Sequence, residues 1–593
     1  MNRRKTSPER SASKSEPEEY DLIVLGSGAG AKISAWTLAA EGQRVALVER
    51  KYIGGSCPNI ACLPSKNIVQ SAKVAQYFRT GEDYGVVTHG FTVDMSKVRE
   101  RKRQMVSGLV DVHLHNFKQS GVELILAQGR FVAPKTIEAS LSDRTTRVLR
   151  GKRVVIGTGT HAALEAIPGL AEAQPLTHVE ALELDSAPEH LLVLGGGYVG
   201  LEFAQAMRRF GSKVTVIDRN DRLMNNEDDD VAEAVGQLFA DEGIDVRLNS
   251  VVKRVSGKSG ESVQLVVEKN GAEETVEGTH LLMATGRVPN TSGIGLDIAG
   301  VELTESGYVK VNERLETTAP DVWALGEVAG SPKFTHVSED DFRIFYENIN
   351  GRHRVTTGRQ VPFCLYTDPE VARIGLTEKQ AKEQGIAFRL FKVPMNAILR
   401  ARSTSELRGF MKALVEAKGD RILGFTAFAA SAGETMGAVH LAILGGVPYT
   451  VLRDALLAHP TFCRRARRPL LRQTHSSALD RRARARCAVE RCAHHAGAKR
   501  KARANSRRVI HLDYWVRMPG YSLDPSSRRC DYETLCEAAL SCARASTACR
   551  KSTNSSVGDG VIESSTYRSR IACSACAMST GRFIGLLFSS ASA

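Results

Sequence analysis

Two thiols five positions apart, Cys57 and Cys62, stand in the run Gly54-Gly-Ser-Cys-Pro-Asn-Ile-Ala-Cys-Leu-Pro-Ser-Lys66. In a reducing compartment such a pair serves redox exchange or metal binding more often than it staples a fold. Residues five apart in a regular helix rise about 7.5 Å, beyond the ~7 Å between Cα atoms that a disulfide tolerates. Bridging this pair therefore requires an irregular turn, and Pro58 and Pro64 favour one.

A second chemical feature occurs twice. Tyr20-Asp-Leu-Ile-Val-Leu25 has strand character and runs into Gly26-Ser-Gly28-Ala-Gly30-Ala31 and a helix-like segment to about Glu41. Glycines there let a pyrophosphate reach backbone N–H groups at a helix N-terminus, where the dipole favours an anion. The next strand ends at Glu49, 23 residues after Gly26. An acid so placed accepts hydrogen bonds from ribose hydroxyls. The pattern repeats at Leu191-Leu-Val-Leu-Gly195-Gly-Gly197-Tyr-Val-Gly200, with a helix from Leu201 to about Phe210 and a strand ending at Asp218, again 23 residues on. Two such units imply two dinucleotides, one a tightly held flavin and the other an exchangeable nicotinamide. Asp218 repels a 2′-phosphate and favours NADH, whereas Arg219 and Arg222 attract one. The cysteine pair follows the first unit's acid, which brings sulfur within reach of the ring carried by the first nucleotide.

The elements that position these groups are alternating strands and helices, an α/β pattern. The 593 residues have room for several domains. The net charge of +14 and the 12 cysteines suggest, taken whole, a nucleic-acid binder or a secreted cysteine-rich protein. Their distribution argues otherwise. Residues 463–593 hold 25 Lys and Arg against 9 Asp and Glu, and nine of the cysteines. The preceding 462 residues are close to neutral. No secretory signal and no apolar run of about 18–20 residues is evident, so a cytoplasmic protein without a membrane anchor is expected.

From about Tyr20 to Thr461 the chain resembles the FAD-dependent pyridine nucleotide–disulfide oxidoreductases, the group of dihydrolipoamide dehydrogenase, glutathione reductase and mercuric reductase. The resemblance rests on Gly54–Lys66, Gly157-Thr158-Gly159, Ala284-Thr-Gly286-Arg-Val-Pro-Asn290, Val322-Trp-Ala-Leu-Gly326-Glu327, Thr367-Asp-Pro-Glu-Val371 and His459-Pro-Thr461. It implies two Rossmann-like dinucleotide-binding domains plus an α+β C-terminal dimerisation domain. The expected order is a disordered leader (1–19), an FAD domain (20–150 and 286–355), an NAD(P) domain (151–285), a dimerisation domain (356–461) and a basic, Cys-rich tail (462–593).

By the same resemblance FAD is held by Gly26, Gly28, Gly30, Glu49, Lys66, Gly129, Thr158, Gly159, Gly326 and Glu327. NADH or NADPH is held by Gly195, Gly197, Gly200, Asp218 and Gly286, and no metal is expected. Cys62 is then the thiolate beside the flavin, Cys57 the interchange thiol, Lys66 the partner of Glu202, and His459 the acid–base for the other subunit of a homodimer. The implied substrate is a small disulfide or dithiol, or a protein-bound lipoyl group. Pro-Ser-Lys after Cys62 is more similar to dihydrolipoamide dehydrogenases and mercuric reductases than to glutathione reductases. Hg(II) reduction is the alternative, although no adjacent cysteine pair occurs anywhere in the chain.

Two departures stand out. Glu327 occupies a place where the family carries Asp, one methylene shorter. Arg464 stands where a glutamate ordinarily orients the histidine, and a guanidinium cannot accept an imidazole N–H. The family pattern stops there. One inserted base in a codon run for Phe-Ala-Glu-Gly-Leu yields Phe-Cys-Arg-Arg-Ala, the sequence from Phe462 to Ala466, so the tail reads as out-of-frame translation. A competing class is an impaired flavoprotein, or a protein that binds nucleic acid through tail arginines. The tail also offers Cys487-x4-Cys492 and Cys573-x2-Cys576 for zinc, without a second ligand pair at finger spacing.

Overall fold

In the computed structural model, which describes residues 16–463, the first glycine turn is carried by β1 (Glu18–Leu25), α1 (Ala29–Ala40) and β2 (Val45–Glu49). β1 lies parallel between β2 and the strand Thr146–Ile156, with Leu25 opposite both Val48 and Ile156. Leu22, Ile23 and Val24 are fully buried, as expected of a strand covered on both faces. β2 continues to Glu123–Ala133, and an antiparallel meander through Thr136–Leu141 returns to Thr146–Ile156. Val322–Ala324 adds the last parallel strand, which leads into the turn that opens at Gly326.

Two expected limits shift. The 150/151 boundary falls inside the strand Thr146–Ile156, whose pairing with β1 keeps it in the first sheet to Ile156. The leader was expected to run to residue 19, but Glu18 and Glu19 begin β1 opposite Leu149 and Arg150. Glu18 is fixed there by Arg147 at 2.6 Å.

Between β2 and the meander the chain makes three helices. These are α2 (Ser56–Asn59), α3 (Cys62–Arg79) and α4 (Met95–Ser120), which opens on Asp94 accepting from Lys97 N at 3.0 Å. The second unit repeats the plan with parallel strands His280–Met283, His190–Leu194, Lys213–Ile217 and Asp245–Arg247. The helix Tyr198–Phe210 is almost wholly buried against them. The C-terminal sheet is antiparallel, in the order Phe363–Leu365, Glu370–Gly375, Ile422–Ala429, Phe410–Glu416, Phe388–Pro394. The helix Ala432–Leu444 packs on it.

Charged side chains tie this sheet to the second unit. Lys412 is fully buried and donates to Asp228 and Asp230 at 2.7 Å and to Glu378 at 2.9 Å. Arg209 bridges Glu242 and Asp368 at 2.7 and 2.8 Å. Among the described residues no helix is long and apolar enough to cross a membrane. The expectations for the tail, and for Arg464, lie outside the described residues.

Candidate active site

Cys57 sits on the single turn α2 and Cys62 opens α3. The irregular turn between them is Ile60-Ala61, where φ and ψ leave the helical range (Ala61 φ −131°, ψ −103°). Pro64 falls in the first turn of α3, where a missing N–H costs no helical bond. Gly54-Gly55 folds back against the first glycine turn so closely that a Cβ on Gly55 would lie 2.7 Å from Gly28 Cα.

Both cysteines are free thiols and hydrogen-bond each other. Their environments separate them. Cys62 is pushed down to about 6 by the bond from Cys57, which outweighs burial, with help from the Thr335 hydroxyl and the Lys66 ammonium. Its Sγ lies 3.5 Å from Thr335 Oγ1. Cys57 is pushed up by that same bond and by burial. Cys62 therefore carries the charge of the pair and Cys57 the proton.

Lys66, one turn along α3, reaches both oxygens of Glu202 at 2.9 and 2.7 Å. Glu202 is buried and also accepts from Tyr366 N at 2.9 Å, while the Lys66 ammonium lies 4.7 Å from the Tyr366 ring centre. Lys66 thus links the helix that opens at Cys62 to Glu202 of the second unit and to Tyr366 of the C-terminal domain.

The first glycine turn fits a dinucleotide. Gly26 has φ +93°, and a Cβ there would lie 2.5 Å from Gly157 O. Gly28 caps α1 with no side-chain acceptor, which leaves first-turn N–H groups for an anion. Glu49 is held rigid: Oε2 accepts from Ser27 N and Oγ at 2.9 and 2.6 Å, and Oε1 from Lys51 N and Tyr52 N at 2.8 and 3.0 Å. Gly30 N donates to Ser338 Oγ at 3.0 Å, and a Cβ on Gly326 would lie 2.8 Å from that same oxygen.

Thr158 and Asn290 exchange hydrogen bonds at 2.9 and 2.8 Å, with Gly159 next in the turn. Gly129 lies in the strand Glu123–Ala133, where the room left by its missing side chain is taken by Leu25 and Val48. Glu327 does not stand free: Thr160 Oγ1 and Arg287 Nε, the latter at 3.2 Å, donate to its Oε2.

In the second unit Gly195 has φ +112°, and a Cβ would lie 2.5 Å from Ala284 O. Gly197 caps the helix Tyr198–Phe210 without a side-chain acceptor, and Gly200 lies in its first turn. Gly195 and Gly197 open on a cavity of about 360 Å³ bounded also by Asp218, Arg219, Arg222 and Thr285, next to Gly286. Asp218 Oδ2 accepts from Gly196 N at 2.5 Å and Oδ1 from Asn220 N at 2.8 Å. Arg222 is paired with Asp221 and Asp229. Both turns thus have the glycines, the helix N-terminus and the acid that a dinucleotide requires.

His459 lies exposed near the end of the described chain and forms no hydrogen bond with the cysteine cluster. Among the described residues one carboxylate group of metal-site spacing occurs, Asp228, Asp230 and Glu378, and the Lys412 ammonium fills it. Sequence reasoning missed Lys32, Thr335 and Ser338 as site residues, and Arg287 although it stands inside the Ala284–Asn290 motif. The first three are far in sequence from the groups they touch, and no spacing pattern points to them.

Residues 20–341 match the family described as pyridine nucleotide-disulphide oxidoreductase, and residues 361–467 its dimerisation domain. A probable pyridine nucleotide-disulfide oxidoreductase, RclA of Escherichia coli strain K12, is 32% identical over 449 residues, covering 75% of this chain and 97% of the relative. Mercuric reductase of Staphylococcus aureus is 32% identical, covering 75% and 80%. Mitochondrial dihydrolipoyl dehydrogenase of Dictyostelium discoideum is 31% identical, covering 75% and 92%. Among solved structures, the Cu(II) complex of the HOCl-induced flavoprotein disulfide reductase RclA from Escherichia coli superposes with a TM-score of 0.70 at 32% identity, covering 77% of this chain and 99% of that one. LpdA of Mycobacterium tuberculosis gives a TM-score of 0.70 at 25% identity, covering 76% and 99%.

Proposed function

The chain belongs to the FAD-dependent pyridine nucleotide-disulphide oxidoreductases, enzymes that use FAD and NAD(P)H, and from that premise we propose that Cys57 and Cys62 form the redox pair of an NAD(P)H:disulfide oxidoreductase. The observation that carries this reading is the arrangement of two free thiols at the break between α2 and α3, with Lys66 one turn on held by Glu202. Bound FAD would supply the two-electron relay between NAD(P)H and the cysteine pair. Gly26, Gly28 and Gly30 would receive its pyrophosphate and Glu49 its ribose; Lys66, Gly129, Thr158, Gly159, Gly326 and Glu327 are the other residues assigned to it. Gly195, Gly197, Gly200, Asp218 and Gly286 would hold the nicotinamide cofactor.

The chain's own part is thiol exchange. Cys57, once deprotonated, attacks one sulfur of the substrate disulfide and displaces the other as a thiolate. Cys62 then attacks Cys57 Sγ, which restores the Cys57–Cys62 disulfide and releases the second substrate thiolate. The reverse sequence oxidises a dithiol. Lys66, anchored by Glu202, keeps a positive charge beside Cys62 and so favours its thiolate as attacking group and as leaving group.

The substrate class we favour is a small dithiol or disulfide of the dihydrolipoamide kind, free or protein-bound, in a cytoplasmic enzyme. Assaying the purified protein with dihydrolipoamide, oxidised glutathione and Hg(II) in parallel tests this. Turnover fastest with dihydrolipoamide supports it; turnover with Hg(II) alone would move the assignment to metal reduction.

Asp218 leads us to expect NADH over NADPH, since its carboxylate faces the cavity where a 2′-phosphate would lie and Arg222 is already paired. The kcat/KM for NADH should exceed that for NADPH by about tenfold, the scale of one unfavourable charge contact. Asp218→Ala should narrow the gap, and a wild-type preference for NADPH would contradict this assignment.

We also expect a homodimer. The helix Ala432–Leu444 of the dimerisation domain leaves Leu441 and Leu444 exposed, as are Val451 and Leu456 beyond it. Sedimentation at micromolar concentration should give two chains per particle; a single chain contradicts this expectation. In such a dimer His459 would serve the thiol of the other subunit, with Arg464 in place of its orienting acid.

A further inference from the structure

A second charged pair lies under the Gly54–Cys57 turn, and the exchange steps above make no use of it. Lys32, on α1, is buried, with Nζ 2.6 Å from His113 Nε2 on α4 and donating to Gly54 O at 3.0 Å. His113 Nδ1 lies 2.6 Å from Leu109 O, so it carries the ring hydrogen and leaves Nε2 as the acceptor for the lysine. The helix that bears the histidine therefore fixes its tautomer. Gly54 precedes Cys57 by three residues, and the His113 ring occupies the space a side chain there would need, 2.7 Å from the Cβ position.

The lysine is thus clamped from two sides beneath the turn that leads to Cys57, and Lys32 and Cys57 each favour the other's charge. The other groups facing it are Glu339, on the helix Thr335–Ile349, and the Trp36 ring, 5.7 Å away on α1 itself. Cys57 in turn faces Cys62, the Thr335 hydroxyl and Lys32. Burying an ammonium is costly, and the residual neighbours here include only one carboxylate. A thiolate at Cys57 would complete the compensation.

Resting on the assignment of Cys57 as the exchange thiol, we propose that Lys32, held by His113 and the Gly54 carbonyl, is a positioning residue whose ammonium is the counter-charge for the Cys57 thiolate during exchange. The proton balance is simple: Cys57 releases its proton to solvent or to a base, and the anion left behind faces a cation already in place. Burial brings Lys32 down to about 8, against the charges of Cys57 and Glu339, so the ammonium is present at neutral pH and fades above that value. This internal charge has added weight in a chain where Arg464 replaces the acid that would orient His459.

The test uses the full-length flavoprotein carrying Cys62→Ser, which leaves Cys57 as the only thiol of the pair. Alkylation of Cys57 by iodoacetamide is followed by peptide mass mapping from about pH 6 to about pH 10. With Lys32 intact, the half-maximal rate should fall at a lower pH than in its absence, against the burial that raises the thiol. Adding Lys32→Gln should slow alkylation near neutral pH about tenfold, while Lys32→Arg should stay within about twofold. A profile unchanged by Lys32→Gln, or one slowed about tenfold by Lys32→Arg, overturns the proposal. The second of these needs no Lys32→Gln protein, so a folding failure of that variant leaves the proposal exposed to refutation. A Cys57 that resists alkylation at every pH refutes the exchange-thiol assignment itself, a result distinct from a normal alkylation profile that ignores Lys32.

Discussion

Cys62→Ser should lower NAD(P)H-dependent disulfide reduction by about 10³-fold or more, the scale on which loss of a reacting nucleophile acts. The serine hydroxyl keeps a polar contact with Thr335 Oγ1 and changes the volume little, so folding and cofactor binding should persist. What disappears is the sulfur that resolves the mixed disulfide and that is held ionised near neutral pH. Steady-state assay of the variant, with its visible flavin spectrum as the check on cofactor content, reads the effect. Activity within about tenfold of wild type would remove Cys62 from the scheme.

Lys412→Met carries the largest expected effect on stability. The Lys412 side chain is fully buried and its three donors are all used, on Asp228, Asp230 and Glu378. Methionine matches its length but leaves three carboxylates facing one another around an apolar tip. Breaking a buried ion pair from one side costs roughly 3–5 kcal/mol. Chemical unfolding should show a loss of that order, with the second unit and the C-terminal sheet no longer unfolding together. A loss below about 1 kcal/mol would mean that the acids escape to solvent or protonate at little cost.

The same cluster sets a pH window. Burial opposes the charge of Asp228, yet the bond and charge of Lys412 outweigh it and hold its folded pKa below the usual carboxylate range. Its contribution is therefore full above the unfolded carboxylate value and is lost as pH falls through the lowered folded one. Lys412 is raised, since Asp230 and Glu378 outweigh the burial that opposes its charge. That contribution is full below the unfolded lysine value and is lost at strongly alkaline pH.

The parts of this fold that sequence reading reaches are those written in short-range pattern. A strand, a glycine turn and an acid at a fixed interval can mean little else, and both Gly26–Glu49 and Gly195–Asp218 adopt that plan. The break between Cys57 and Cys62 follows from a length argument, and it falls at Ile60-Ala61. The groups that tune the thiols are another matter. Thr335 is 273 residues from Cys62, and His113 is 81 from Lys32. Neither carries a local signature, because a hydroxyl at a helix start and a histidine within a helix have many ordinary explanations.

Glu327 shows a different limit. The sequence shows its extra methylene but not that its carboxylate is turned to Thr160 and Arg287, partners that only the folded chain brings near. The strand Thr146–Ile156 was divided between two domains for a similar reason. Seven register pairs with β1, invisible in sequence, keep it in the first sheet.

The central claim is that the chain holds two electron-accepting centres per subunit, a flavin and the Cys57–Cys62 disulfide. Anaerobic titration of the oxidised, purified flavoprotein with dithionite, followed in the visible spectrum, counts them directly. The wild-type protein should take up twice as many electrons per flavin as Cys62→Ser, with a long-wavelength band at half-reduction in the wild type alone. Equal uptake by the two proteins, with no such band, would contradict it.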